Sequence, residues 1–469
     1  MAGRATSVEL RKTPPTPDAA AGDVLAMRRR VIQLSAPVFA EVVLQTLTQV
    51  VDMAMVGRLG ASAIAAVGLS MQPLFLGQGV FMGLSVGTTA LVARFTGAQD
   101  RRMAARTNHQ SFLVSMILAI GMSAGVYAYA RDIVGLMGAE PDVIALGTSY
   151  LRRLAPGFGA LLGTMTVGGA LRGAGDTTTP MKINVLVNFV NVVGNYALIF
   201  GHLGCPALGV EGAALATTAS RIVGGALFVW ASWRPGSPVA PTRRQRLEEY
   251  LKVDVALVGR VLRVGVPAIL ERLVISSGML VYIREVAGLG TVVYAAHNVA
   301  NNAESLSFMP GLAFATAATA LVGQGLGAGK PDAAERSAQE ALRLGLTVMG
   351  AMALVFLAAP QYLMMIFTSD PEIIRLGSMA LRVISFAQIP MGVAFIYSGA
   401  LRGAGDTRSV LYVTVFAVWV VRLSATYILV SVGGLGLVGA WLAMVADWLV
   451  RGVYVWRKFR SGRWKPLQV

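Results

Sequence analysis

Residues 169–177 read GALRGAGDT, and the same nine residues stand again at 399–407, 230 positions later. The offset holds far upstream of this pair. Pro37 answers Pro267, Glu41 answers Glu271, Leu59-Gly60 answers Leu289-Gly290, and Ala90-Leu91-Val92 answers Ala320-Leu321-Val322. Gly97-Ala98 answers Gly327-Ala328, and Pro141 answers Pro371, with no gap needed from Pro37 to Thr177. Beyond Thr177 the register slips: Tyr196 answers Tyr427, and Gly209 answers Gly436. A repeat of this length sets the architecture before any motif is weighed.

Composition says what surrounds the repeat. Hydrophobic residues make up 55% and charged residues 14%, with a mean hydropathy of +0.63. A soluble protein needs about a quarter of its residues charged to cover its surface, so most of this exterior must face lipid. The chain resolves into about twelve apolar stretches, each roughly 20 residues and long enough to cross a bilayer. Their apolar runs do not alternate with polar residues, and a membrane-embedded backbone must satisfy itself, so helices are favoured over a barrel. The 53 glycines suit close helix approach. The fold expected is all-α and integral to the membrane: twelve transmembrane helices in two parallel six-helix lobes related by a pseudo-twofold axis near the membrane normal. The boundaries expected are a disordered tail over 1–30, an N-lobe over 31–233, and an inter-lobe linker over 234–262. A C-lobe over 263–456 and a basic tail over 457–469 follow. The linker is expected to hold a short surface helix between Arg244 and Tyr250.

The net charge of +16 would suit nucleic acid, but its placement argues otherwise. Lys and Arg cluster around positions 28–30, 94–106, 172–182, 234–252, 330–343, 402–408 and 457–465, in every second loop. That is the positive-inside pattern, with both termini cytoplasmic and an even number of spans. The setting expected is a bacterial inner membrane, with no nucleic-acid partner. Cys205 is the single cysteine, so no intramolecular disulfide is available. The first 24 residues carry no apolar core of signal-peptide length.

Ionisable groups at membrane depth are costly and mark pathways. The first span carries Glu41, Gln45, Thr48 and Asp52 at spacings of 4, 3 and 4, and the fifth carries Asn184, Asn188, Asn191 and Asn195 at the same spacings. Each set lines one helical face. Glu41 has no Lys or Arg within its span, so it is expected to load and release a proton or to bind sodium. Pro37 and Pro267, each four residues before its glutamate, are candidate hinges. Asp52 is read equally as a cation-coupling residue and as a cap or loop anchor; Asn184 and Asn188 read chiefly as interhelical glue, with Asn188 also a candidate for the cation-coupling site. In the second lobe Glu271 is joined by His297, Asn301 and Glu304 on one face of the eighth span. Arg422, opposite Asn191 in the repeat, needs a carboxylate, and Glu271 or Glu304 is expected to supply it. His297 reads first as an interhelical hydrogen-bonding residue. The duplicated GALRGAGDT reads as loop grammar: Gly173 and Gly175 for a turn, Asp176 or Thr177 as a helix cap, and Arg172 and Arg402 at the interface.

Taken together, Ala36-Pro37-x-x-x-Glu41, Val51-Asp52-x-x-x-Val56-Gly57-x-Leu59-Gly60, Val264-Gly265-Val266-Pro267-x-x-x-Glu271, Ala296-His297-Asn298, Leu321-Val322-Gly323-Gln324 and both copies of LRGAGDT resemble the multidrug and toxic compound extrusion (MATE) family over nearly the whole chain. The resemblance implies a V-shaped antiporter that exports cationic or amphipathic compounds in exchange for protons or sodium. It implies an N-lobe cation site at Glu41, Asn191 and Asn195, with Glu271 serving the C-lobe. Two departures leave the ion open: residues 376–400 hold no acid, and the span-1 acid is Glu rather than the commoner Asp. A flippase for a lipid-linked or amphipathic precursor is the alternative. The chain lacks Gly-x-x-x-x-Gly-Lys-[Ser/Thr], HExxH, GxSxG and any Cys/His cluster, so neither enzyme nor cofactor is indicated. No metal is expected beyond a sodium ion at Glu41, and the chain is expected to act as a monomer. On this reading Glu41 is expected to carry the ion, and Glu271 to sense cationic substrate.

Overall fold

The structure, a computed structural model, describes residues 17–138, 140–241 and 252–467. The first lobe contains α1 (Pro17–Gly57), α2 (Ala61–Gly97), α3 (Arg101–Ala128), the short α4 (Ala130–Leu136), α5 (Pro141–Gly173), α6 (Thr178–Phe200) and α7 (Val210–Trp233). The second contains α8 (Val255–Ala287), α9 (Thr291–Gly327), α10 (Pro331–Ala358), the short α11 (Pro360–Met365), α12 (Pro371–Ser385), α13 (Gln388–Ala404), α14 (Thr407–Val432) and α15 (Gly436–Arg460). Eleven of these are long and apolar enough to cross a membrane, and α12 with α13, bent by 57°, makes a twelfth crossing. The chain is thus a multi-pass membrane protein of two six-span lobes.

Several boundaries differ from those expected. Residues 17–30, expected to be disordered, are the start of α1. The second lobe begins with α8 at Val255, because Asp254 caps that helix by accepting from the Leu257 amide at 3.1 Å. The basic tail is folded: α15 runs to Arg460, and fully buried Trp464 stacks on Phe459 at 4.8 Å. Lys465 reaches Glu335 (2.7 Å) and Asp332 (3.1 Å). Hydrogen bonds to those two carboxylates, Glu335 first, hold its ammonium above the ordinary lysine range. The surface helix expected near 244–250 lies outside the described residues.

Every residue type in GALRGAGDT has a job. A Cβ on Gly169 would come within 2.4 Å of Ser85 Oγ, and one on Gly173 within 2.5 Å of the Thr89 carbonyl, so α5 lies directly on α2. The repeat does the same: Gly399 meets the Ala315 carbonyl at 2.3 Å and Gly403 meets that of Thr319 at 2.2 Å. Hydroxyls bridge the crossings, with Thr89 Oγ1 donating to the Gly169 carbonyl at 2.9 Å and Thr319 Oγ1 to that of Gly399 at 2.8 Å. This is membrane-type packing, in which small residues admit the neighbouring backbone. The chain then turns at Gly175 (φ +91°) and Gly405 (φ +90°), a region closed to most side chains. Asp176 accepts from the Thr179 amide at 2.9 Å and Asp406 from that of Ser409 at 3.2 Å, capping the next helix. Thr177 Oγ1 donates to the Gln33 carbonyl at 3.4 Å, the group that Pro37 deprives of its helical partner. Both α1 and α8 continue as helix through their prolines, and a bend of 57° separates α12 from α13.

The slip in register also has a physical form. Between Thr407 and Tyr427 the offset grows by one residue, and within that interval α14 is π-helical over Phe416–Arg422. A π turn absorbs an inserted residue without breaking the helix. Arg422 therefore sits where the second lobe departs from the first.

The lobes meet on the face that carries both chain ends. There α8 packs against α2 and α3, while α1 packs against α9 and α10, so each lobe's first helix crosses to the other lobe. Repeat-related glycines seal the crossing: a Cβ on Gly97 would lie 1.9 Å from the Gln324 carbonyl, and one on Gly327 1.9 Å from that of Arg94. Arg94 and Gln324 are themselves repeat partners, so this contact sits on the pseudo-twofold axis. Arg28 pairs with Glu340 (2.9 Å), Arg30 donates to Gln324 (2.8 Å), and Gln324 donates to the Gly173 carbonyl (2.9 Å). The close approaches continue along α2 to Gly79, which meets Arg272 halfway along α8. Gly327→Ala should destabilise the purified protein by about 1–3 kcal/mol, as overpacking does. Gly121→Ala, in open space on α3, should be neutral. Thermal unfolding of both variants in detergent checks the contrast.

Candidate functional site

The two glutamates on which the repeat drew attention are both paired. Glu41 takes Arg172 Nη1 at 3.3 and 3.5 Å and Asn184 Nδ2 at 2.7 Å. Glu271 takes Arg402 Nη2 at 2.7 and 2.9 Å and Thr414 Oγ1 at 3.4 Å. Arg172 and Arg402, and Asn184 and Thr414, are repeat partners, so one triplet occurs twice. This corrects two readings: Glu41 is not an unpaired carboxyl, and the two arginines point into the lobes rather than to the interface. The partner of Glu41 sits on α5, a helix that a search within α1 does not reach.

Asp52, for which a cap and a cation-coupling role are both expected, lies in a polar cluster. Asn195 Nδ2 donates to Asp52 Oδ1 at 2.7 Å. The Asn191 amide lies 2.9 and 3.1 Å from the two Asp52 oxygens and 3.2 Å from Thr217 Oγ1. With its NH2 toward the carboxylate it donates to Asp52 and accepts from the Thr217 hydroxyl. Asn191 and Asn195 are buried, and Asn195 Oδ1 has no hydrogen-bond partner. Among the described residues no cation lies within ion-pair distance of Asp52; Arg221 acts on it only electrostatically, as it does on buried Tyr150. Asn188, one turn away, is half-buried and makes no side-chain hydrogen bond among the described residues. Thr217, Tyr150 and Arg221 escaped sequence reading because α5 and α7 carry no polar stripe that singles them out.

The second lobe differs. Arg422 pairs with Asp447 at 2.5 Å, not with Glu271 or Glu304. Asp447 also binds Arg451, at 2.7 and 2.9 Å. The missed signal was the i, i+4 spacing of Asp447 and Arg451 inside an apolar span. His297 is buried edge-on to Tyr282 and Trp441, each ring centroid 5.7 Å away, and its Nδ1 has no partner. The hydrogen-bonded role expected for it is therefore replaced by aromatic packing. Glu304 is 3% exposed, and its carboxyl has no hydrogen bond or ion pair among the described residues. Asn301, between them on α9, is half-buried and likewise unbonded. No group of three or more His, Cys, Asp or Glu side chains suited to a metal occurs among the described residues.

Comparisons with known proteins agree with this architecture. The sequence matches the MatE family profile twice, over residues 37–197 and 267–428, which reproduces both the 230-residue offset and its later slip by one. A probable multidrug resistance protein NorM of Thermotoga maritima is 30% identical over 455 residues, covering 95% of each chain. The multidrug resistance protein MdtK of Proteus mirabilis is 28% identical over 91% of this chain and 95% of that protein. Among solved structures, an outward-facing multidrug resistance MATE family transporter superposes with a TM-score of 0.84 at 27% identity, covering 94% of this chain and 97% of the other. With two matched repeats that together span most of its length, the chain belongs to the MatE family of membrane transporters.

Proposed function

We propose that the protein is a secondary exporter of cationic or amphipathic organic compounds, in exchange for H+ or Na+, in a bacterial plasma membrane. Its relatives named for multidrug resistance supply the substrate class. One observation carries the coupling site: Asp52 is a carboxylate held by neutral amides, with no cation in ion-pair contact. Such a group can exchange a proton or a sodium ion with water without first breaking a salt bridge. Asn191, Asn195 and Thr217 orient it, and the free Asn195 oxygen adds an acceptor for an incoming cation. Glu41 and Glu271 act as locks that tie α1 to α5 and α6, and α8 to α13 and α14. The basic end-bearing face is then cytoplasmic. Lobes sealed there leave the opposite face for substrate release, and breaking that seal gives the inward-facing state of an alternating-access cycle.

Asp52→Asn in reconstituted vesicles should abolish ion-driven efflux of an organic cation while the protein still inserts and folds. Retained gradient-driven efflux would remove Asp52 from the coupling role. The locks predict a different readout. Arg402→Met leaves Glu271, 8% exposed, without its cation and should cost about 3–5 kcal/mol of stability. Arg172→Met should cost less, because Glu41 keeps Asn184 and is more exposed. Thermal unfolding of the two variants side by side checks the order.

A further inference from the structure

Deep in the second lobe, four helices bring together a buried cluster of polar and aromatic side chains that the proposed cycle does not use. Tyr282 comes from α8, His297 and Glu304 from α9, Arg422 from α14, and Trp441, Asp447 and Arg451 from α15. All are at least nine-tenths buried. The three rings are in contact, and the Arg422 guanidinium lies 5.7 Å from the Tyr282 ring centroid. Four hydrogen-bonding atoms have no partner: the Tyr282 hydroxyl, His297 Nδ1, Arg422 Nε and Trp441 Nε1. Unsatisfied buried polar atoms are rare and call for an explanation. Here they share one place with Glu304, two turns along α9 from His297 on the same face.

Charge shows which group can change. Arg422 and Arg451 share the single carboxylate Asp447, which leaves one positive charge unbalanced. Ionised Glu304 neutralises the cluster and protonated Glu304 leaves it at +1. The cost of desolvating a lone carboxylate opposes the attraction of the surplus cation, so this protonation state turns on small changes nearby. The other ionisable groups at this depth lie away from this cluster: Arg272 of α8 is exposed and packs on Gly79 of α2. From Ala61 to Ala93 α2 has no charged residue, α10 has none beyond Arg343, and Arg375 and Arg382 of α12 point outward. On α13 the ionisable side chains are Tyr397 and Arg402, and Arg402 is held by Glu271. A metal cation does not fit: the free atoms are chiefly N–H donors, and a guanidinium lies among them.

We propose that Glu304 is a second proton-binding site, independent of Asp52 and of the Glu271–Arg402 pair, that takes protons but not sodium through the Tyr282–His297–Trp441 cluster. The placement of Arg422 beside a π-helical stretch agrees with a functional use, because such turns concentrate at working sites. One consequence rests on the export reading: a proton on Glu304 raises the lobe's charge and so opposes a cationic substrate held against it.

The test uses the purified full-length protein and no transport. Trp441 reports on the cluster, and the difference between wild type and Trp441→Phe isolates its fluorescence from the other six tryptophans. That component should show a pH transition that is lost in Glu304→Gln and unchanged in Asp52→Asn and Glu271→Gln. Glu304→Asp, which keeps a shortened carboxyl, should shift its midpoint and covers the case in which Glu304→Gln fails to fold. Replacing choline by sodium should leave it unmoved. Absence of the transition in the wild type overturns the proposal. So does its survival in Glu304→Gln, its loss in His297→Asn with Glu304 intact, or a sodium-dependent shift.

Discussion

The structure depends on one steric constraint: at Gly173 and Gly403 there is no room for a β-carbon, because another helix's carbonyl occupies the space. That contact lays α5 on α2 and α13 on α9. It also aims the adjacent arginine, at position 172 or 402, inward at the glutamate of the lobe's first helix. The turn glycine, the capping aspartate and the threonine that follow set how the next span begins. These residues thus fix a helix crossing, an ion pair, a turn and a cap in both lobes, although Thr177 donates to the Gln33 carbonyl while the Thr407 hydroxyl has no partner.

Symmetry separates scaffold from chemistry. Groups that recur at the same offset hold the lobes together: Glu41 with Arg172 and Asn184, Glu271 with Arg402 and Thr414, and Gly97 against Gly327 on the axis. Among the groups that do not recur, Asp52 and Glu304 have no cation in ion-pair contact among the described residues, whereas Arg422 is paired with Asp447. Asp52 faces Tyr282 across the repeat, Asn191 faces Arg422, and Glu304 faces Leu74. The first lobe surrounds its carboxylate with amides, while the second fills the related volume with a guanidinium and aromatic rings. A pump that must bind and release ions needs carboxylates not committed to a strong partner, and Asp52 and Glu304, neither copied by the duplication, meet that condition.

The fold was largely legible in the sequence, since the repeat offset, the apolar spans and the alternating basic loops survive without coordinates. Span count and parallel lobes followed from them. Pairing was not legible. Glu41 looked isolated because Arg172 lies 131 residues away on a helix that only glycine packing brings near. Arg422 was assigned to known carboxylates in its lobe, whereas Asp447 lay in a span not searched for acids. For Asp52 the sequence leaves a cap and a coupling role level, because a position near the end of α1 does not reveal that Asn191 and Asn195 of α6 reach its carboxylate. The register slip was visible, but its cause, a π turn ending at Arg422, is a backbone property that residue types do not encode.

The central claim is that the repeated glutamates are committed to salt bridges while Asp52 and Glu304 remain free to carry a proton. A hydrophobic carbodiimide, which reacts with protonated carboxyl groups in apolar surroundings, tests it in one experiment with peptide mapping by mass spectrometry. The account predicts adducts at Asp52 and Glu304, with Glu41 and Glu271 untouched. Adducts at Glu41 or Glu271 with Asp52 unmodified would contradict it.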